Sequence, residues 1–344
     1  MEYGAIDLHK RRSQIRIVRE DGSVVLERKI ETSRADLDHL FVGRPPLRIL
    51  IESSTESEWV AQHLEARGHE VIVADPNYAP MYGSRSRKVK TDRRDAAALA
   101  EACRTGIYRR AHRASAEARD LRRTLRVRSH LVRQRSGIIS LLRSLLRQEG
   151  IRVASGSAAH ILRRVDRVTV PPAMVATLAP LRTVLTQLNA TIAEMDQVLD
   201  ERATTDAVAQ HFMTAPGVGP VVALSYYAVL DDPARFGHNA ARARAFLGLV
   251  PSEDSSAERQ HKGHITKTGP RDLRALLVQA SWAIWRGKTA AGAALRAWAQ
   301  ALAARRGRRI AVVALARRLS RILFALWRDR TDFRVSPRAA RSVA

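Results

Sequence analysis

The chain has 344 residues, room for two or three domains at ~100–200 residues each, and its 45% hydrophobic content supports folded cores rather than disorder. Lys and Arg outnumber Asp and Glu 59 to 34, a net charge of +25, which points to a polyanionic partner, nucleic acid before an acidic membrane surface. The single cysteine, Cys103, excludes a disulfide scaffold and a thiolate zinc site; residues 1–20 lack the apolar stretch of a secretory signal, and the aliphatic run 310–316 falls far short of the ~20 residues of a membrane span.

The first third alternates strands and helices. Tyr3–Leu8, Gln14–Arg19 and Val24–Ile30 read as three short antiparallel strands, with Asp21-Gly22 as a hairpin signal. Ser33 caps a helix over Arg34–Val42; Arg48–Ile51 is a buried strand, Glu56–Arg67 an amphipathic helix stopped by Gly68, and Glu70–Ala74 a further strand. A helix then starts near Thr91 and runs to about Thr105. The order is β-β-β-α-β-α-β-α, an α/β domain over about 1–110.

Two long amphipathic helices follow, one over Ser115–Arg147 and one from Met174 or Leu178 to Leu199, separated by the break at Gly150–Gly156. They predict a helical or coiled-coil section over about 111–205, paired within one chain or between protomers. The remainder, about 206–344, reads as mainly helical to Trp327, with an aperiodic tail. Charge is uneven along this plan. Residues 1–110 carry 20 cations and 17 acids, whereas 206–344 carry 23 and 9. That asymmetry suggests chemistry in front and a polyanion grip behind.

Four acids occupy matched topological positions. Asp7 ends the first strand and Glu52 the fourth, while Asp92 and Asp95 open the helix after the last strand, three residues apart on one face. Asp92 and Asp95 taken singly also suit a helix first turn, where the dipole favours acids. Asp7 and Glu52 do not fit so easily, because each directly follows an apolar run. Acids at adjacent strand ends stand about one strand spacing, ~4.8 Å, apart. A pair of Mg²⁺ ions would relieve their repulsion and serve phosphoryl transfer. His9, Lys10, Arg11 and Arg12, just after Asp7, are placed to touch a backbone phosphate.

These acids, with the string Lys-Thr-Asp-Arg-Arg-Asp-Ala over 90–96, resemble the RNase H/RuvC-like nuclease fold and the DEDD transposases of bacterial insertion sequences. That family includes the Piv invertase and the bridge-RNA-guided recombinases. The resemblance covers most of the chain.

In the C-terminal third, Pro216-Gly217-Val218-Gly219 between apolar stretches has a helix-hairpin-helix pattern. Gly217 and Gly219 would let backbone N–H groups face a phosphate; a plain helix–helix turn is the alternative. Next, Phe246-Leu-Gly-Leu-Val-Pro-Ser-Glu-Asp-Ser-Ser256, leading to a basic loop that ends Lys267-Thr-Gly269, is similar to the family's second signature. The resemblance implies that Ser256, five residues after Pro251, is the nucleophile, with Ser255 as the second choice. Lys262, Lys267, Arg271 and Arg274 would stabilise charge on the phosphodiester, and His261 or His264 would accept the proton. By residue type alone, Ser252, Ser255 and Ser256 are ordinary turn formers. Two departures from the pattern stand out: Ala257 where relatives carry Gly after the serine, and Ser53-Ser54 after Glu52 where a small residue, a hydroxyl residue and Gly are usual. Trp282, Trp285, Trp298 and Trp327 are expected to pack in the core, and Arg305, Arg306, Arg308 and Arg309 to grip phosphates.

The expectation is a transposase or site-specific recombinase acting on donor and target DNA in the bacterial cytoplasm, on the nucleoid when bound. The resemblance further implies a dimer or tetramer with active-site halves from different protomers, and an element-encoded guide RNA. Two competing readings are a Holliday-junction-type metal nuclease that uses water, and a non-catalytic nucleic-acid-binding protein.

Overall fold

In the computed structural model, which describes residues 1–83, 91–256 and 259–335 (254–256 and 259–262 as backbone), the first unit is built on one sheet. Strands β1 (Glu2–Asp7), β2 (Arg12–Arg19) and β3 (Val24–Glu31) form an antiparallel meander, with Asp7 opposite Gln14. After helix α1 (Arg34–Phe41), strand β4 (Arg48–Glu52) adds parallel to β1 with Ile6 beside Ile51. Helix α2 (Ser57–Glu65) and strand β5 (Glu70–Ala74) follow, completing the order β3-β2-β1-β4-β5. Helix α3 (Asp92–Thr105) starts on the cap Thr91, whose side chain accepts from Arg94 N, and stops at Gly106 in the left-handed region. The expected elements of this third are all present, in the expected order.

Side-chain alternation divides the sheet into two faces. Ile6, Ile15, Ile17, Ile49, Ile51 and Val73 pack with Leu37, Phe41, Val60 and Leu64 of α1 and α2. Ala5, Val18, Leu50 and Ile72 pack on the other face with Leu99, Ala100 and Cys103 of α3. Asp7 lies two residues beyond Ala5, and Glu52 two beyond Leu50. The period of two therefore points both acids to the α3 side, at the strand ends. Cys103 is sealed beneath this helix, where burial pushes its thiol up to about 12, so it has no part as a nucleophile.

The chain divides after Arg113, and the second unit begins at Ala114. Helix α4 (Ala116–Gln148), capped by Ser115, leads through the short α5 (Ile161–Val165) to α6 (Pro172–Thr205). The two long helices pair within one chain. Leu142, Leu146, Leu178 and Leu185 cluster with Ile161 and Val165 at one end, Arg128 pairs with Asp196, and Arg135 donates to Asn189 at 3.2 Å. At the other end Leu121, Leu199 and Ala203 enter the core of the C-terminal helices. Those helices are α7 (Ala207–Met213), α8 (Pro220–Leu230), α9 (Ala240–Phe246), α10 (Arg271–Arg286), α11 (Ala293–Arg306) and α12 (Arg308–Asp329). Among the described residues no helix is long and apolar enough to cross a membrane.

Three expectations for this unit need correction. The stretch before α10 is not continuous helix and loop: β6 (Pro251–Ser256) and β7 (Arg259–Ile265) form an antiparallel hairpin. Trp298 is not core. It is 37% exposed on the flank of α11, whereas Trp327 packs edge-on to Phe212 at 5.7 Å and Trp282 against Trp285 at 6.3 Å. The segment after α12 is tied down as far as Phe333: His211 pairs with Asp332 at 2.8 Å, and Phe333 N donates to the Thr214 hydroxyl at 2.8 Å. Residues 336–344 of the expected tail lie outside the described residues.

The hairpin stands on a glycine clasp. Gly248 (φ 64°) and Gly269 (φ 72°) both need the left-handed region, and a Cβ on Gly248 would collide with the Thr268 backbone, one on Gly269 with the Phe246 carbonyl. Arg274 Nη1 completes the clasp by donating to Leu247 O (3.0 Å) and Thr268 O (2.8 Å). Gly269→Ala is expected to cost about 3 kcal/mol, combining backbone strain and collision. Thermal melting of the second unit should then fall by about 6–12 °C; an unchanged melting curve would show that the clasp bears no strain.

Candidate active site

The end of β1 gathers the acids. Asp7 is only 7% exposed, held between β2, β4 and the start of α3. Its Oδ2 is buried without a hydrogen-bond donor, and His9 Nε2 stands 3.3 Å away. Burial is the main reason its carboxyl rises from an ordinary value near 3.8 to about 6; His9 opposes the rise, and the charges of Asp95, Glu52 and Asp92 add to it. The three other acids singled out in the sequence are therefore all within electrostatic reach of Asp7.

Glu52 and Asp92 have different local partners. Glu52 Oε1 accepts from the Tyr82 hydroxyl at 2.6 Å, and Tyr82 is delivered by a 3-10 turn over Ala79–Tyr82. Asp92 Oδ2 accepts from Lys29 Nζ at 2.8 Å, and its Oδ1 lies 3.6 Å from His9 Nε2. The Lys29 hydrogen bond is the chief cause holding Asp92 below the usual carboxylate range. Asp95, 7% exposed, sits one helical turn further along α3. Lys29, Tyr82 and the proximity of His9 to Asp92 were not legible as site features, because each arrives from a part of the chain distant from its acid.

The donor set fits a divalent cation. Carboxylate oxygens are the hard ligands such ions take, and ligand atoms of Asp7, His9 and Asp92 lie within 4.8 Å of one another. The undonated, buried Asp7 oxygen gives an independent reason: an anionic oxygen so placed is costly unless protonated or matched by a cation.

In the second unit the backbone register puts Ser256 at the turn end of the β6–β7 hairpin, opposite Arg259, and Ser255 opposite Gln260. The side chains of Ser255, Ser256, His261 and Lys262 lie outside the described residues. Lys267 is exposed with a positive φ of 56°, and Arg271 is exposed at the start of α10. Arg274, by contrast, spends Nη1 on the clasp. The two turn glycines differ. A Cβ on Gly217 (φ 74°) would stand 2.6 Å from Ala280 O, so this glycine serves close packing on α10. Gly219 has open space around it and begins α8 without a capping side chain, which leaves that helix end suited to an anion.

Comparison with known proteins gives the family. Residues 5–151 match a family described as "Transposase", and residues 209–296 match one described as "Transposase IS116/IS110/IS902 family". The chain is 30% identical over 335 residues to the "Probable family 20 transposase" of Pseudomonas aeruginosa, covering 96% of this chain and 97% of that one. It is 32% identical over 250 residues to the transposase for insertion sequence element IS1111A of Coxiella burnetii, 71% of this chain and 68% of the relative. Against the transposase for IS1328 of Yersinia enterocolitica it is 27% identical over 335 residues, 95% and 97% of the two chains. The class is thus that of DNA transposases, proteins that bind, cleave and rejoin DNA. Within it, the chain belongs to the IS116/IS110/IS902 family of insertion-sequence transposases.

The buried Asp7 carboxyl sets a pH dependence. Its folded-state value of about 6 lies above the ordinary 3.8, so its ionisation opposes folding: stability falls as pH rises from about 4 to about 6 and stays lower above that. Asp7→Asn is expected to stabilise the metal-free protein at pH 8 by about 2–3 kcal/mol, with the gain vanishing near pH 4. Denaturant melts of both proteins across this range check it, and a gain independent of pH would contradict it.

Proposed function

We propose that this transposase cuts and rejoins DNA strands through Ser256, assisted by a Mg²⁺-binding acid site of Asp7, Glu52, Asp92 and Asp95 on an RNase H/RuvC-like unit. The observation that carries the reading is the convergence of the four acids on one end of the sheet, with Asp7 buried and short of a donor. The strand order, an antiparallel meander extended by two parallel strands, supports the fold assignment.

When bound, divalent cations supply positive charge to the scissile phosphate. The protein's own groups do the rest. Asp7 is fixed by the sheet, Glu52 is oriented by Tyr82 and Asp92 by Lys29, so the site is preorganised before substrate arrives. The Ser256 Oγ attacks phosphorus, forming a serine–phosphate ester as the bond to the leaving sugar oxygen breaks. The serine proton passes to a base on the protein, for which His261, two residues along β7 from the register partner of Ser256, stands closer along the hairpin than His264. The departing oxygen takes up a proton. In the reverse sense, a sugar hydroxyl attacks the ester, restores the phosphodiester and releases the serine. The covalent link thereby conserves the bond energy needed for rejoining.

The two sets of groups lie in separate compact units. This suits an active site composed from two protomers of a dimer or tetramer; selection of donor and target DNA by an element-encoded guide RNA rests on the family resemblance alone. Lys267 and Arg271 hold the DNA backbone near the serine hairpin, joined by Lys262, and Gly219 holds it at the start of α8; Gly217 and Arg274 act through packing.

A covalent-trapping assay tests the mechanism. Protein, Mg²⁺, labelled DNA spanning an element junction and RNA transcribed from the element's flank are combined and resolved on a denaturing gel. A DNA-linked protein band is expected, reduced at least ~10³-fold by Ser256→Ala and by Asp92→Ala. Cleavage that persists in Ser256→Ala with no adduct would instead make the site a metal nuclease using water.

A further inference from the structure

In the second unit, α9, α11 and α12 enclose an open groove of about 390 Å³ lined by Arg244, Trp298, Ala314, Arg317, Arg318 and Arg321, none of them a residue of the acid site or the serine hairpin. Four guanidinium groups thus surround an indole and a methyl group. Among the described residues no carboxylate lies within ion-pair distance of any of the four; the Arg244 Nε merely donates to Ala240 O at 3.2 Å in its own helix. The Arg317 Nε is buried with no acceptor at all. The Arg318 guanidinium lies 4.7 Å from the centre of the Trp298 ring, which is itself 37% exposed. Burial, and secondly repulsion from Arg317 and Arg321, lower the Arg244 pKa; burial and Arg321 do the same for Arg318. Among the described residues Arg122 finds Ala228 O (2.7 Å) and Arg128 finds Asp196, and Arg135, Arg143 and Arg164, whose Nε is also buried without an acceptor, each donate through another guanidinium nitrogen to a carbonyl oxygen. Here the protein holds converging positive charge and leaves an acceptor unsupplied.

We propose that this groove binds an unpaired nucleic-acid strand, with phosphates on Arg244, Arg317 and Arg321 and a base stacked on the Trp298–Arg318 platform. Phosphate oxygens supply the acceptors that the guanidinium forks lack, in the planar geometry those forks match. Stacking on an indole or guanidinium plane requires a base face, which an unpaired strand offers and a duplex does not. The ligand chemistry is shared by RNA and by a displaced DNA strand. The inference rests on the family's handling of nucleic acid and is independent of the serine step.

Fluorescence anisotropy on the full chain in EDTA tests it, since without divalent cation failure of the cleavage mechanism does not affect the readout. The probes are labelled 12-nucleotide single strands of RNA and of DNA, and a DNA duplex of the same sequence. Trp298→Ala is expected to weaken single-strand binding about 5- to 100-fold while leaving the duplex within about threefold. Trp298→Phe should retain most of the affinity. Arg244→Gln/Arg321→Gln should reduce the slope of log K against log salt for single strands by about 1.4, two phosphate contacts at ~0.7 each. Loss confined to RNA would assign the groove to a guide strand, and loss confined to DNA to a displaced strand; either supports the proposal. Unchanged single-strand binding by Trp298→Ala, or equal loss on duplex and single strand, overturns it. A change in oligomeric mass by light scattering with strand affinity intact also overturns it, assigning the face to a second copy of the chain. Should Trp298→Ala not fold, the arginine double variant and Trp298→Phe decide the question.

Discussion

A carboxylate forced into a nearly closed position at the end of a central strand is the constraint on which the first unit turns. Asp7 cannot move away, because β1 is paired on both sides and covered by α3. Its oxygen lacks a donor, so the folded chain must protonate it or supply a cation. The surroundings follow from that demand: Glu52 arrives on the parallel neighbour, Asp92 and Asp95 arrive on the first turn of α3, and His9 and Lys29 partly balance the charge. The same burial that destabilises the ionised Asp7 is what makes it a strong cation ligand under the proposed function.

Much of this was legible in the chain. Val, Ile and Leu runs of four to six residues, broken by Asp-Gly, Gly and Pro, are enough to recover the meander and its parallel additions, and the acids could be placed because each directly ends an apolar run. The period of two then dictates that Asp7 and Glu52 share the face of Ala5 and Leu50. What was not legible depends on pairing across distance. Lys29 reaches Asp92 from the third strand, 63 residues away in the chain, and Tyr82 reaches Glu52 from a turn with no periodic signal. His9 was read as a phosphate contact, and its position between two acids emerges only once the sheet edge is folded.

In the second unit the misses have different causes. The β6 segment Pro-Ser-Glu-Asp-Ser-Ser has no apolar alternation, so its pairing is imposed by the clasp at Gly248 and Gly269 and not by propensity. The glycines of the signature motif thus have a steric explanation: two backbones cross with no room for a Cβ. Trp298 shows the limit of helical periodicity, which distinguishes faces but not the flank of a face. It sits three residues after buried Leu295 and just before buried Ala299, yet its ring is open to the arginine groove. The strong positive charge of the C-terminal part, readable from composition, acquires a location there.

The central claim is that the acid cluster built around Asp7 is a divalent-cation site, and calorimetric titration of the full chain with Mn²⁺ tests it most directly. The account predicts saturable binding accompanied by proton release that is larger near pH 6 than at pH 8, because the cation displaces the proton of Asp7. Asp7→Asn should abolish both the binding and the proton release. Absence of saturable binding, or binding that survives Asp7→Asn unchanged, would contradict the account.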